Sequence, residues 1–333
     1  MIKKIIAATL STVIGVVLIV LVLAWINFDE VIKSFKQFTL ENLTIFLIIS
    51  VLIFILHVWR WQLLIKAYGY SISFWRILRY KLEGYAACYL TPGAFIGGEP
   101  LRAVLLKVKH NIPYPEAISS IIIDKTFEIL INGFLAGIGI ILLLTKFALP
   151  KQFEIIVAVS VISVFLLLGW FYHQILKGKN ILQRTFRFFR LHKFTKLIPL
   201  EQKIVETEKM VEIFFRHHKK IFVLCLVTMP LFWVLIYFEY RYALLLIGVH
   251  PTLTLIFLVF AMVGVSFIAP VPAGLGVLET TQASIFSLYG HPASAGVALS
   301  FLIRGRDLVW VFFGVIGVGI HGIKRFYRML TGQ

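Results

Sequence analysis

The chain has 333 residues, 59% hydrophobic and 15% charged, with a mean hydropathy of +0.91. These figures exclude a soluble globular protein and place the chain among polytopic membrane proteins. The formal net charge of +17 would suit nucleic acid in a soluble chain, but in a membrane protein the first account of excess Lys and Arg is cytoplasmic loops that fix orientation. No nucleic-acid recognition fold is legible.

In chain order, the opening "MIKKIIAATLSTVIGVVLIVLVLAW" combines a basic start with an apolar run from Ile5 to Trp25, about the ~20 residues needed to span a bilayer. It lacks a small-x-small cleavage site, so it reads as a first transmembrane helix entering from the cytoplasm, not a signal peptide. Asp29 and Glu30 follow in a short outer loop. The next apolar run covers Asn42 to His57, and a polar joint from Trp59 to Leu82 carries Arg60, Lys66, Arg76, Arg79 and Lys81 with no acid. That joint is expected in the cytoplasm.

The stretch "TPGAFIGGEPLR", Thr91 to Arg102, cannot cross a bilayer as an ordinary helix. Glycine and proline break the hydrogen-bonded ladder, and its two charges would face lipid. Apolar runs resume at Ala117 to Leu144 and Ile155 to Tyr172. The connector from residue 173 to 220 then holds twelve Lys or Arg against four Glu, and its "FRFFRLHKF" is expected to lie amphipathically on an anionic inner leaflet. Further runs cover Ile221 to Ile247, Leu253 to Ala269 and Ala293 to His321, ahead of a basic tail with Lys324, Arg325 and Arg328. Glu239 and Arg241 read as structural polar residues near one helix end. Cys88 and Cys225 lie far apart inside apolar segments, so neither a disulfide framework nor a metal site is suggested.

An internal repeat organises these runs. When "GYAACYLTPGAFIGGEPLRAVLL" is set over "GVSFIAPVPAGLGVLETTQASIF", Gly84, Pro92 and Glu99 fall on Gly264, Pro272 and Glu279 at an offset of 180; Lys125 and Glu128 fall on Arg304 and Asp307 at an offset of 179. The matched residues are ones that a lipid-facing helix should lack. Each half reads as a spanning helix, two short helices around a Pro/Gly break, and a long helix with a mid-depth basic-x-x-acidic pair. If every run spanned fully, the basic tail would lie outside. The reading that keeps it inside is an all-α polytopic membrane protein with six full transmembrane helices and two re-entrant helical hairpins in an inverted repeat.

The expected layout is one membrane domain over residues 1–333, with repeats at about 42–146 and 221–321, the basic connector at 173–220, and both termini cytoplasmic in the cell membrane. Pro92, Gly93, Gly97 and Gly98 would form one hairpin tip, and Pro270, Pro272, Gly274 and Gly276 the other. Irregular backbone at mid-membrane depth is tolerated only inside protein or around a wet cavity. Each second arm would aim its helix N-terminus, with free N–H groups and a positive dipole, at the midplane, which suits an anion. Pro100 fits the first turn of such a helix, and Arg102 adds a forked donor for phosphate. Lys125 and Glu128 would lie roughly 12 to 17 Å deep at 1.5 Å per residue, with the i, i+3 spacing placing each of the two pairs on one face. Glu99, Arg102, Lys125, Glu128, Glu279, Arg304 and Asp307 are therefore the candidate lipid-headgroup residues, with Glu99 and Glu279 able to cap the helix ends.

"RWQLLIKAYGY", "TPGAFIGGEPLR", "PVPAGLGVLE" and "RGRD" together resemble the flippase-like membrane domain of the lysylphosphatidylglycerol synthetase family, also known as UPF0104, over about Ile5 to Arg325. The resemblance implies an eight-segment bundle that moves an anionic, aminoacylated or polyprenyl-phosphate-linked lipid between leaflets. Lys125 stands where the family more often has Arg, and Ala273 where Gly is common. The soluble aminoacyl-transferase domain of larger relatives is not read here, so a transporter is expected before an enzyme. The alternative is a membrane-embedded polyprenyl-phosphate or aminoacyl-lipid transferase using Asp29 and Glu30; another is a small-ion transporter with re-entrant gates. Neither a metal nor a cofactor is expected, and no nucleotide-binding motif is legible. The partners expected are membrane lipids, together with a second copy of the chain or a separate lipid-modifying enzyme.

Overall fold

The computed structural model describes residues 28–35, 38–90, 98–146, 151–188, 198–268 and 271–321. All the regular elements among them are helical: α1 (Phe28–Ser34), α2 (Leu40–Ala67), α3 (Phe74–Leu90), α4 (Gly98–His110), α5 (Tyr114–Lys146), α6 (Lys151–Leu176), α7 (Ile181–Phe188), α8 (Ile198–His217), α9 (Lys219–Leu246), α10 (Leu253–Ile268), α11 (Val277–Leu288) and α12 (Ala293–His321). The expected first span and the basic tail lie outside the described residues, as do most of "FRFFRLHKF", Pro92, Gly93, Gly97 and Pro270.

Helices α2, α5 and α9 are long and apolar enough to cross a membrane, with 28, 33 and 28 residues. The 29-residue α12 carries Arg304, Arg306 and Asp307 near its middle. Helix α9 shows why its surroundings must be apolar. Val223, Val227, Leu231, Val234 and Phe238 are all exposed on it at three- and four-residue intervals, while Cys225, Thr228, Met229, Phe232 and Ile236 are buried behind them. A soluble protein rarely leaves such a stripe in water. By contrast α3, α4, α10 and α11 have 17, 13, 16 and 12 residues, all short of the ~20 that a full span needs.

Local chemistry explains several of the boundaries. Thr39 opens α2 by accepting a hydrogen bond from the Asn42 N–H, as an N-cap should. The helix does not stop at His57, where the apolar run ends, but continues to Ala67 and closes at Tyr68 and Gly69, the latter at φ 85°. The polar joint read over residues 59–82 is thus mostly helix. Its Arg60 and Lys81 are buried, not exposed in a loop. Neighbouring helices supply acids that cannot be seen from the joint itself. In the connector, the carboxylate of Glu208 on α8 accepts from the backbone N–H groups of Leu182 and Gln183 and so closes the start of α7, while α8 packs on α5 and α6.

The tertiary packing crosses the two halves of the chain. Helix α2 packs on α9, the short α3 on the long α12, and the short α10 on the long α5; within each half α3 meets α4 and α4 meets α5, as α10 meets α11 and α11 meets α12. Two glycines set the crossings. A Cβ on Gly139 of α5 would lie 2.2 Å from the Phe257 carbonyl oxygen of α10, and one on Gly314 of α12 would lie 2.2 Å from the Leu82 carbonyl oxygen of α3. No larger residue permits that approach of backbones. The main core joins α2, α5 and α8 to α9 through α12, and a second apolar cluster around Trp61, Ile77, Leu105 and Ile121 seats the α3–α4 pair against α2 and α5.

Candidate functional site

Helix α5 presents Asp124, Lys125 and Glu128 to three neighbours. Helix α2 contributes His57 and Arg60, α3 contributes Lys81, and α4 contributes Glu99 and Arg102. Asp124 is the hub. Its Oδ1 accepts from Arg60 Nε at 3.0 Å and Nη2 at 2.9 Å, and its Oδ2 from Lys81 Nζ at 3.0 Å and Arg102 Nη2 at 2.8 Å. Three cations from three helices thus share one carboxylate that is itself fully buried. Glu128 takes a second bond from Lys81 at 3.3 Å and pairs with Lys125 at 2.9 Å, while Lys125 reaches back to Glu99 at 3.1 Å. The Arg102 guanidinium lies 3.8 Å from the centroid of the Trp61 ring, a cation–π contact strengthened by desolvation. Trp61 is held in turn by a bond from its Nε1 to the Ser120 hydroxyl.

Arg102 reaches Asp124 only because α3 and α4 touch at glycine. A Cβ on Gly98 would sit 2.0 Å from the Gly84 carbonyl oxygen, and one on Gly84 would sit 2.8 Å from Arg102 Cγ. Burial falls off across the cluster. Arg60, Asp124, Lys81 and Arg102 form a buried floor, whereas the side chains of Lys125, Glu99 and Glu128 are 34%, 20% and 16% accessible. The cluster holds four cations, Arg60, Lys81, Arg102 and Lys125, against three acids, Glu99, Asp124 and Glu128. Among the described residues, Arg60 Nη1, Arg102 Nε and Glu99 Oε2 are buried and find no hydrogen-bond partner.

A second cluster lies on the other half. Arg304 of α12 pairs with both oxygens of Glu279, and its Nη1 and Nη2 donate to the carbonyls of Ala273 at 3.1 Å and Gly274 at 3.2 Å. Glu279 also accepts from the Gly276 N–H at 2.9 Å, so it caps α11, as its position in the sequence suggests. Pro272–Gly274 form a 3-10 turn in which Ala273 has φ 51°, followed by Gly274 at 61° and Gly276 at 77°. Arg306 pairs with Glu239 of α9 at 2.8 Å and with Asp307 at 2.8 Å. Tyr89 and Tyr85 of α3 face Arg304 and Asp307 respectively.

Of the sequence-derived residues, Glu99, Arg102, Lys125 and Glu128 meet in the first cluster, and Glu279, Arg304 and Asp307 in the second. The i, i+3 pairing holds for Lys125 with Glu128. It fails for Arg304 with Asp307: the acid at the start of α11 captures the arginine, and Asp307 turns to the adjacent Arg306. Sequence reasoning passed over Asp124, His57, Arg60 and Lys81. Asp124 carried a usable signal, being an acid inside an apolar run beside Lys125. Glu239, read from the sequence as a structural polar residue, is the partner of Arg306. Among the described residues no group of three or more His, Cys, Asp or Glu is placed to hold a metal ion, and Cys88 and Cys225 are both buried.

Comparison with known proteins gives a consistent kinship. The family model described as the lysylphosphatidylglycerol synthase TM region matches residues 12–315. A UPF0104 membrane protein of Pyrococcus horikoshii is 24% identical over 313 residues, covering 89% of this chain and 91% of that protein. A UPF0104 membrane protein of Methanocaldococcus jannaschii is 29% identical over 125 residues, 38% of this chain and 37% of that one. Another from Methanothermobacter thermautotrophicus is 26% identical over 129 residues, 39% of this chain and 36% of its own length.

Proposed function

The chain belongs to the lysylphosphatidylglycerol synthase TM region family of integral membrane proteins, and from that premise we propose that it is a lipid flippase or scramblase. It would move an anionic, aminoacylated or polyprenyl-phosphate lipid between leaflets of the cell membrane. One observation carries this reading: in a bundle whose outer faces are apolar, Lys81, Glu99 and Arg102 of α3–α4 and Glu279 of α11 turn inward to meet charges on the long helices, and the first of the two clusters has one cation in excess. Buried intramembrane charge is costly and marks polar pathways, and the excess cation suits a headgroup phosphate. The acyl chains would stay in lipid while the headgroup crosses against Arg102, Lys125 and the ends of α4 and α11.

The proposed architecture is an inverted repeat with α3–α4 and α10–α11 as re-entrant hairpins. The short lengths of these helices support it, as do the reciprocal packing of α3 on α12 and α10 on α5, the matching glycine crossings, and the shared pairing of Lys125 with Glu99 and Arg304 with Glu279. Cytoplasmic termini follow from the distribution of Lys and Arg. The test is lipid movement in proteoliposomes with a labelled phosphatidylglycerol. Glu99→Gln and Lys125→Gln should each slow movement at least about tenfold, or ~1.4 kcal/mol, with little loss of thermal stability because both side chains lie at the accessible edge. Unchanged movement in both variants overturns the site.

A further inference from the structure

We propose that Asp124 is the protein's internal substitute for the headgroup phosphate: it holds Lys81 and Arg102 in the lipid-free state, yields them to the incoming headgroup, and reclaims them to release it. The proposal rests on the lipid-moving reading and gives one residue of the site a distinct task. Carboxylate and phosphodiester carry the same single charge and accept from the same donors, above all from guanidinium groups. Around Asp124 those donors already converge from α2, α3 and α4 at 2.8 to 3.0 Å.

Three features separate this arrangement from an ordinary structural ion pair. The first is saturation of the acid without saturation of the cations. Both oxygens of Asp124 accept twice, yet among the described residues Arg60 Nη1 and Arg102 Nε find no partner although these residues are 0% and 4% exposed. Buried donors normally find an acceptor, and an additional oxyanion would supply one. The second is charge, because the four cations exceed the three acids by one. The third is that Asp124 survives the exchange. Arg60 holds it through both Nε and Nη2, so surrendering Lys81 and Arg102 does not leave a bare buried carboxylate, which would be costly. The accessible edge formed by Lys125, Glu99 and Glu128 gives a headgroup its approach. Without a competing acid, a phosphate bound among several cations in a low-dielectric interior would be released slowly. Asp124 therefore favours turnover over tight binding.

The test compares wild type with Asp124→Asn, purified in a neutral maltoside detergent and titrated with phosphatidylglycerol or, as a phosphate-free control, diacylglycerol. The expected result is a split: Asp124→Asn binds phosphatidylglycerol at least tenfold tighter and moves it more slowly in vesicles, while diacylglycerol is unaffected. A variant that binds phosphatidylglycerol no tighter than wild type overturns the proposal. If Asp124→Asn does not stay folded in detergent alone, recovery of a cooperative melt with phosphatidylglycerol and not with diacylglycerol supports it, because the phosphate has then taken the carboxylate's place. Failure to fold in both lipids overturns it. A wild type that neither binds nor moves phosphatidylglycerol removes the transport reading, and this proposal with it. Wild-type movement without tighter binding by the variant removes this proposal alone.

Discussion

The Lys125–Glu99 and Arg304–Glu279 contacts each join the start of a short helix to the middle of the long helix that follows, yet their surroundings differ. Arg304 donates to both oxygens of Glu279 and to two turn carbonyls, and Glu279 also caps its helix. Lys125 is shared between two acids at an accessible edge, beside a floor whose guanidinium groups keep donors that no other described residue uses. The same placement has produced a closed clamp on one half and an open cluster on the other. Position along the helices fixes where polar groups meet; donor count and partner supply fix whether they can accept a ligand. The Arg in the second half, with its fixed fork, closes on a carboxylate and two carbonyls. A Lys, as a point charge, cannot do this.

The sharpest way to break the comparison is to open the clamp. Glu279→Gln should cost about 3 to 5 kcal/mol of stability, because it leaves Arg304 buried without its counter-charge. Glu279→Met combined with Arg304→Met should recover most of that loss in denaturant unfolding. Equal losses in the single and double variants would mean that the pair does not act as a unit. A smaller effect is expected at the helix crossings. Gly139→Ala and Gly314→Ala should each destabilise by about 1 to 3 kcal/mol through overpacking against a carbonyl, and by similar amounts if the two crossings are equivalent. A large inequality in their melting temperatures would argue against the repeat. The smallest effect belongs to the turn. Ala273 sits at φ 51°, where an L side chain is disfavoured by roughly 1 to 2 kcal/mol. Part of that advantage is lost to the freer unfolded chain, so Ala273→Gly should raise stability by about 1 kcal/mol or less, read as a small rise in melting temperature.

Much of the fold was legible in the sequence because its signal is local. Apolar runs gave α5, α9 and α10 nearly to their ends, and the Pro/Gly breaks separated the short helices. Helix α2 was cut short at His57 because Arg60 and Lys66 look like the start of a loop when only their neighbours in sequence are considered. Arg60 is helical and buried because Asp124, 64 positions away, meets it. Lys81 was assigned to a loop for the same reason. The internal repeat drew attention to Glu99, Lys125, Glu128, Glu279, Arg304 and Asp307, but it could not show Asp124, for which it offers no equivalent. Nor could it show that Arg304 would choose Glu279 over the acid one turn along its own helix.

By itself, the sequence determined an all-helical integral membrane protein, the approximate helices, and which residues are too polar to face lipid, since hydrophobicity and helix breaking act residue by residue. Only the tertiary structure decided which cation answers which acid, and that one cluster is closed while the other has donors to spare. That choice depends on distances of about 3 Å between side chains on different helices, set by backbone crossings at glycine, and no property of a single segment encodes them.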